Sequence, residues 1–117
     1  MAKRETGSPF MNGVPELLVL RLLQDQEMYG YELVQAIRER TDSQVVLAEG
    51  VVYPVLHALE QDGALKAKRK TVSGRSRIYY SLTANGTKRL AGLTSTWAAL
   101  GHAVHTILSG GTHAKLA

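Results

Sequence analysis

The chain has no cysteine, a single tryptophan and, after Asp62, no acidic residue at all. Without cysteine there are no disulfides, no thiolate metal sites and no cysteine nucleophile, a composition that suits a cytoplasmic protein. No stretch approaches the ~18 consecutive apolar residues of a membrane span, so no membrane partner is expected. The first thirteen residues are polar and Gly-rich, without the apolar centre of a secretory signal. Also missing are a Gly-rich phosphate loop and an HExxH zinc motif, and the acids lie in amphipathic helices, where solvated faces account for them. An enzyme is the least supported class, and no cofactor is expected. His102 and His105 stand at i, i+3, but with no cysteine and no later carboxylate the ligand set for a metal is incomplete.

The missing acids also divide the chain. Residues 1–62 hold ten acidic and five basic side chains, a net −5, and residues 63–117 hold nine basic and no acidic ones, a net +9. A solvated surface with no partner normally mixes its signs, so the second half points to a polyanion. At 117 residues the chain suits one domain with a modest core.

Residues 50–82 say most about function. Val52, Leu56 and Leu59 repeat at i, i+4, i+7, one buried face of a helix, and leave Pro54, His57 and Gln61 on the free side. Next comes a run carrying Lys66, Lys68, Arg69, Lys70, Arg75 and Arg77. Strands at 65–72 and 75–82 would pair around Ser73-Gly74, with Leu65, Ala67, Ile78, Tyr80 and Leu82 alternating against polar neighbours. A helix with a free face beside a basic ribbon can grip a phosphate backbone while entering a groove, so double-stranded DNA is the expected partner.

Upstream, Pro15 opens a helix apolar on most sides, with Leu17, Leu18, Val19, Leu20, Leu22 and Leu23, expected to pack inside its domain and against another chain. A second helix follows Tyr29-Gly30. Residues 41–49 connect, with 45–47 as a candidate short strand, and the third helix begins near Gly50 with Pro54 in its first turn and Gly63 as its cap. Thr83 is the N-cap of a last helix ending near Leu108 and stopped by Gly110-Gly111. Its apolar positions Leu90, Leu93, Trp97, Leu100, Val104 and Ile107 are spaced 3, 4, 3, 4, 3, a short a/d seam. The expected fold is mostly α with a small β-hairpin: a winged helix-turn-helix at 13–82 and a dimerisation helix at 83–109, flanked by flexible tails at 1–12 and 110–117. Leu17 and Leu20 join the seam residues as expected dimer contacts.

Three segments in this order resemble the PadR family of transcriptional regulators: Met28-Tyr29-Gly30-Tyr31-Glu32-Leu33; Gly50-Val51-Val52-Tyr53-Pro54 through Leu56, Leu59-Glu60 and Gly63; and Arg77-Ile78-Tyr79-Tyr80-Ser81-Leu82-Thr83-Ala84-Asn85-Gly86. The segments fall between Met28 and Gly86, and the resemblance extends over residues 15–90. The single trailing helix resembles the branch with a short C-terminus, whose members are dimeric cytoplasmic repressors released by small aromatic or cationic compounds. Val51 stands where many members have a Ser or Thr able to bond phosphate, although it can meet a thymine methyl.

The expected DNA contacts are Tyr29, Val51, Tyr53, Pro54, His57, Lys66, Lys68, Lys70, Arg75 and Arg77. Arg69 has the parity of the apolar face and is expected to pair locally. Tyr29 and Tyr53 either pack or offer a hydroxyl to phosphate, and Tyr79 and Tyr80 are expected to pack. Trp97, flanked by Leu93 and Leu100, either packs in the seam or lines a site for a small aromatic effector between subunits, as the resemblance implies. Two rival readings stand beside a DNA-binding repressor: an RNA-binding winged helix, and an interaction module whose wing meets no nucleic acid.

Overall fold

In the computed structural model, which describes residues 13–110, Pro15 stands in the first turn of helix α1 (Val14–Asp25), where its missing N–H leaves no helical bond unmade. Its apolar circumference is largely taken up at home: Val19, Leu20, Leu22 and Leu23 are buried in the chain's own core. Leu20 is 0% exposed, so the expectation that it meets a second chain is corrected, while Leu17 keeps part of its surface.

A two-residue strand β1 (Met28–Tyr29) leads directly into α2 (Gly30–Arg40), whose start is closed by the Tyr29 N–H donating to the Glu32 carboxylate at 3.1 Å. Thr41 ends α2: its hydroxyl donates to the Ile37 carbonyl at 2.7 Å and accepts the Val45 N–H at 3.1 Å. Asp42 and Ser43 turn the chain at positive φ, and residues 45–47 form no strand. Leu47 is nevertheless buried in the core.

Helix α3 (Glu49–Gln61) buries Val52, Leu56 and Leu59 as their spacing requires. Pro54 lies inside α3 rather than in its first turn. Its missing N–H leaves the carbonyl of Gly50, an exposed residue, without a helical partner. The end is sharp. Gly63 adopts φ +81°, its N–H reaches the Glu60 carbonyl at 3.0 Å, and the Ala64 N–H reaches that of Leu59 at 2.9 Å.

Strands β2 (Leu65–Val72) and β3 (Arg75–Leu82) pair from Leu65↔Leu82 to Val72↔Arg75. Ser73 and Gly74 both take positive φ, the two-residue turn whose twist matches the strands. β1 adds to the far side of β3 through Met28↔Tyr80 and Tyr29↔Tyr79, giving an antiparallel sheet of order β1-β3-β2. Thr83 caps α4 (Ala84–Ser109) by accepting the Gly86 N–H at 3.0 Å, and Gly110 at φ +69° closes it. The expected tails at 1–12 and 110–117 lie outside the described residues, apart from Gly110.

The core thus joins α1, α2 and α3, with Met28, Leu65 and Tyr80 from the sheet and Leu90 from α4. At 26 residues α4 is about 39 Å long. Only Gly86 and Leu90 in it are buried. From residue 94 onward every residue of the helix is exposed except Thr106.

Candidate nucleic-acid interface

Residues directly opposite in an antiparallel pair share a face. The register therefore places Lys66, Lys68 and Lys70 of β2 on one face with Arg75, Arg77 and Tyr79 of β3, and Tyr29 of β1 joins them. Arg69 lies on the other face and bonds the Ser76 hydroxyl at 3.2 Å, the local pairing its parity called for. The alternation that buries Leu65 and Tyr80 gathers all five expected wing cations on the side away from the core.

These cations are not equivalent. Among the described residues no ion pair holds Lys66, Lys68, Arg75 or Arg77. The Arg77 guanidinium lies 4.3 Å from the Tyr29 ring centroid, and that ring meets Tyr79 edge-on at 5.4 Å. The Lys70 ammonium is 4.9 Å from the Tyr79 centroid. Such contacts hold a cation in place without neutralising it. Lys70, however, is also ion-paired with Glu27. Its expected role as a free phosphate contact therefore meets an acid already in position, in the turn between α1 and β1.

On α3, Pro54 and His57 are exposed, together with Gly50, Ala58 and Gln61. Val51 and Tyr53 are half-buried against the core and offer only part of their surface. Tyr53 packs its phenol end against Gly30: a Cβ there would come within 2.4–2.5 Å of it, so glycine is what permits the contact. The Tyr53 and His57 rings stand 6.4 Å apart. A cleft of about 400 Å³ opens between the start of α2, α3 and the wing, with Tyr29, Tyr31, Tyr53, His57, Arg69 and Arg77 in its wall. Hydroxyls, an imidazole and two guanidiniums suit phosphate oxygens and offer no nucleophile–base pairing. Of the expected contacts, Tyr29, Tyr53, His57 and Arg77 converge here, whereas Val51, Pro54, Lys66, Lys68, Lys70 and Arg75 do not line the cleft. Sequence reasoning passed over Tyr31, which is 49% exposed; the one available signal was its place beside Tyr29-Gly30.

The seam on α4 divides in two. Leu90 is 4% exposed and belongs to the core, which corrects its assignment to a dimer contact, and Leu93 packs half-buried beside it. Trp97, Leu100, Val104 and Ile107 are 49%, 55%, 47% and 81% exposed. A second cleft, of about 470 Å³, runs between α1 and α4 along Arg21, Gln24, Leu90 and Thr94; none of Trp97, Leu93 and Leu100 lines it. Among the described residues there is no group of three or more His, Cys, Asp or Glu able to hold a metal, and no helix is long and apolar enough to cross a membrane.

The sequence profile of the transcriptional regulator PadR-like family matches residues 19–92, from the middle of α1 to just past Leu90. The chain belongs to the PadR-like family. A transcriptional regulator of Mycobacterium tuberculosis is 33% identical over 104 residues, covering 89% of this chain and 92% of that one. Among solved structures, a PadR-like regulator from Bacillus cereus superposes with a TM-score of 0.77 at 29% identity, over 88% of this chain and 99% of that one. A PadR family regulator from Clostridium difficile superposes with a TM-score of 0.73 at 30% identity, over 82% and 99%. Family and neighbours are transcriptional regulators and not enzymes. The winged helix-turn-helix with its C-terminal helix is the fold they share. The PadR-like match contains α3 and the whole wing and stops before Trp97.

Proposed function

We propose that this PadR-like protein is a cytoplasmic homodimeric repressor that binds a pseudo-palindromic DNA duplex and is released by a small aromatic or phenolic ligand. The observation that carries the DNA reading is the exposed α3 face of Pro54 and His57 beside a wing whose cations share one face. Pro54, His57 and the exposed part of Val51 meet base edges, while Lys66, Lys68, Arg75, Arg77 and the hydroxyls of Tyr29 and Tyr53 meet phosphates. Dimerisation is supported by the outer half of α4, which presents Trp97, Leu100, Val104 and Ile107 exposed along one seam with no described residue covering them. Two α3 helices related by a two-fold axis then read half-sites about 34 Å apart. This arrangement, with one trailing helix, is that of the short-C-terminus branch.

The effector site is the seam itself: Trp97 of two chains, walled by Leu93, Leu100 and the exposed part of Leu17, can stack a flat molecule. Such a ligand acts only through a difference in affinity between DNA-bound and DNA-free spacings of the subunits. Trp97 is the chain's one indole, so its emission reports the site directly.

Genomic fragments retained by the protein identify the operator, and that duplex is then compared with structured RNA over a range of salt. Preference for the palindromic duplex, with steep salt dependence, supports the reading. Preference for RNA favours the RNA-binding alternative, and the absence of any salt-sensitive binding favours a protein-interaction module. If a panel of aromatic and phenolic compounds leaves both indole emission and DNA affinity unchanged, Trp97 only packs.

A further inference from the structure

The wing and α4 are separated by one residue, Thr83, and that residue is bonded on both sides. Its hydroxyl donates to the Gly63 carbonyl at 2.7 Å and accepts the Gly86 N–H at 3.0 Å, and its backbone N–H reaches the Ala64 carbonyl at 3.1 Å. Asn85 Nδ2 donates to the Asp62 carbonyl at 3.3 Å, and Arg89 Nη1 reaches the Asp62 carboxylate at 3.2 Å. Arg89 Nε also bonds Glu16 on α1 at 2.6 Å, and that bond holds the guanidinium pKa above its ordinary value. Gly86 packs so closely that a Cβ there would lie 2.2 Å from the Ala64 carbonyl oxygen. Apart from the Arg89–Glu16 pair and the Thr83–Gly86 cap, these contacts converge on Asp62, Gly63 and Ala64, the three residues that cap α3. The C-terminal end of the DNA-reading helix is therefore fastened to the first two turns of the helix carrying the exposed seam.

We propose that this joint makes α3 and α4 one rigid unit, and that Thr83, Asn85 and Arg89 are positioning residues that set which spacing of half-sites the dimer accepts. The proposal rests on the DNA-binding, dimeric reading above. With no compliant segment between seam and DNA-reading helix, the pitch of the two α3 helices follows from how the two α4 helices pack. A swing of about 5° at the joint carries the far end of a helix about 39 Å long through about 3 Å, close to one base-pair rise. Stiffness here is thus worth about one base pair of register. Arg89 adds a third element, since through Glu16 the same side chain ties α1 to the joint and opposes that swing.

The absence of native cysteine allows clean spin labelling at two exposed positions, Ala58→Cys on α3 and Ala98→Cys on α4, with labelled chains diluted into unlabelled protein. The wild-type background should give one narrow intrachain distance distribution. Asn85→Ala with Arg89→Ala, which keeps the Thr83 cap, should broaden it. In selection from random duplexes the wild type should enrich one half-site spacing. The double variant should accept spacings one base pair longer or shorter with the half-site sequence unchanged. Arg89→Lys with Asn85 intact, which keeps a cation between Glu16 and Asp62, should retain the single spacing, so that losing the ties and merely altering the position give different results. A distribution as narrow as wild type in the double variant overturns the rigid joint. Broadened distances with an unchanged single spacing overturn its role in choosing DNA. A wild type that enriches no duplex refutes the functional reading and the spacing role together, whatever the distances show.

Discussion

Lys70 and Glu27 give the sharpest test of how this face meets DNA. On the outward face of the wing four cations per chain have no acidic partner among the described residues, so a dimer offers about eight phosphate contacts, and the slope of log affinity against log salt should be about −7. Between 50 and 200 mM salt that is a loss of about four decades. Lys70 should add little, because Glu27 already neutralises it. Lys70→Ala should therefore leave the slope within about half a unit of wild type, whereas Arg75→Ala removes two contacts per dimer and about 1.8 units. Glu27→Gln frees Lys70, so the slope should steepen by about 1.8 units and low-salt affinity should rise about tenfold. In that background Lys70→Ala should remove the whole gain, closing a double-mutant cycle whose interaction term is the masking itself. Anisotropy titrations of a labelled operator duplex over a salt series measure every corner. If Lys70→Ala alone flattens the slope as much as Arg75→Ala does, Glu27 does not mask Lys70 and the reasoning fails.

Three further outcomes follow from the packing. Gly30→Ala sets a methyl group against the far end of the half-buried Tyr53 side chain, which must swing aside, so thermal or urea unfolding should show a loss below about 1 kcal/mol while DNA affinity falls as Tyr53 is displaced from the cleft. Leu20→Ala should cost about 2–5 kcal/mol of domain stability, while Leu100→Asp, on an exposed position, should leave the domain folded and shift sedimentation from dimer to monomer. Burial, with Glu60 adding to it, raises the Tyr80 phenol above its ordinary 10.0, so the folded state holds that proton when the unfolded chain has released it. Stability should therefore fall as pH rises above about 10, and Tyr80→Phe should remove that part of the alkaline loss in unfolding titrations.

The local elements were legible because their causes are local. Pro15, Gly63, Thr83 and Gly110 each act on the few backbone groups beside them, and Ser73-Gly74 specifies its own turn, so the ends of the helices and the hairpin could be read directly. The wing cations were equally legible, because strand alternation places Lys66, Lys68 and Lys70 together whatever the rest of the chain does. Only the folded chain decided the rest. β1 is two residues long and exists because β3 passes beside it, and residues 45–47, with no strand paired beside them, form none. Leu90 shares the spacing and chemistry of the exposed apolar positions farther along α4, and Leu20 stands in a helix apolar on most sides. Whether such a residue meets its own core or a second chain depends on how far α1 and α4 overlap, a long-range outcome that periodicity does not carry. The same holds for Glu27 against Lys70, 43 residues apart, and for Arg89 against Glu16, 73 apart. Residue type and spacing settle which groups an element presents; the company those groups keep is settled by packing between elements, where burial and charge balance are decided across the whole molecule.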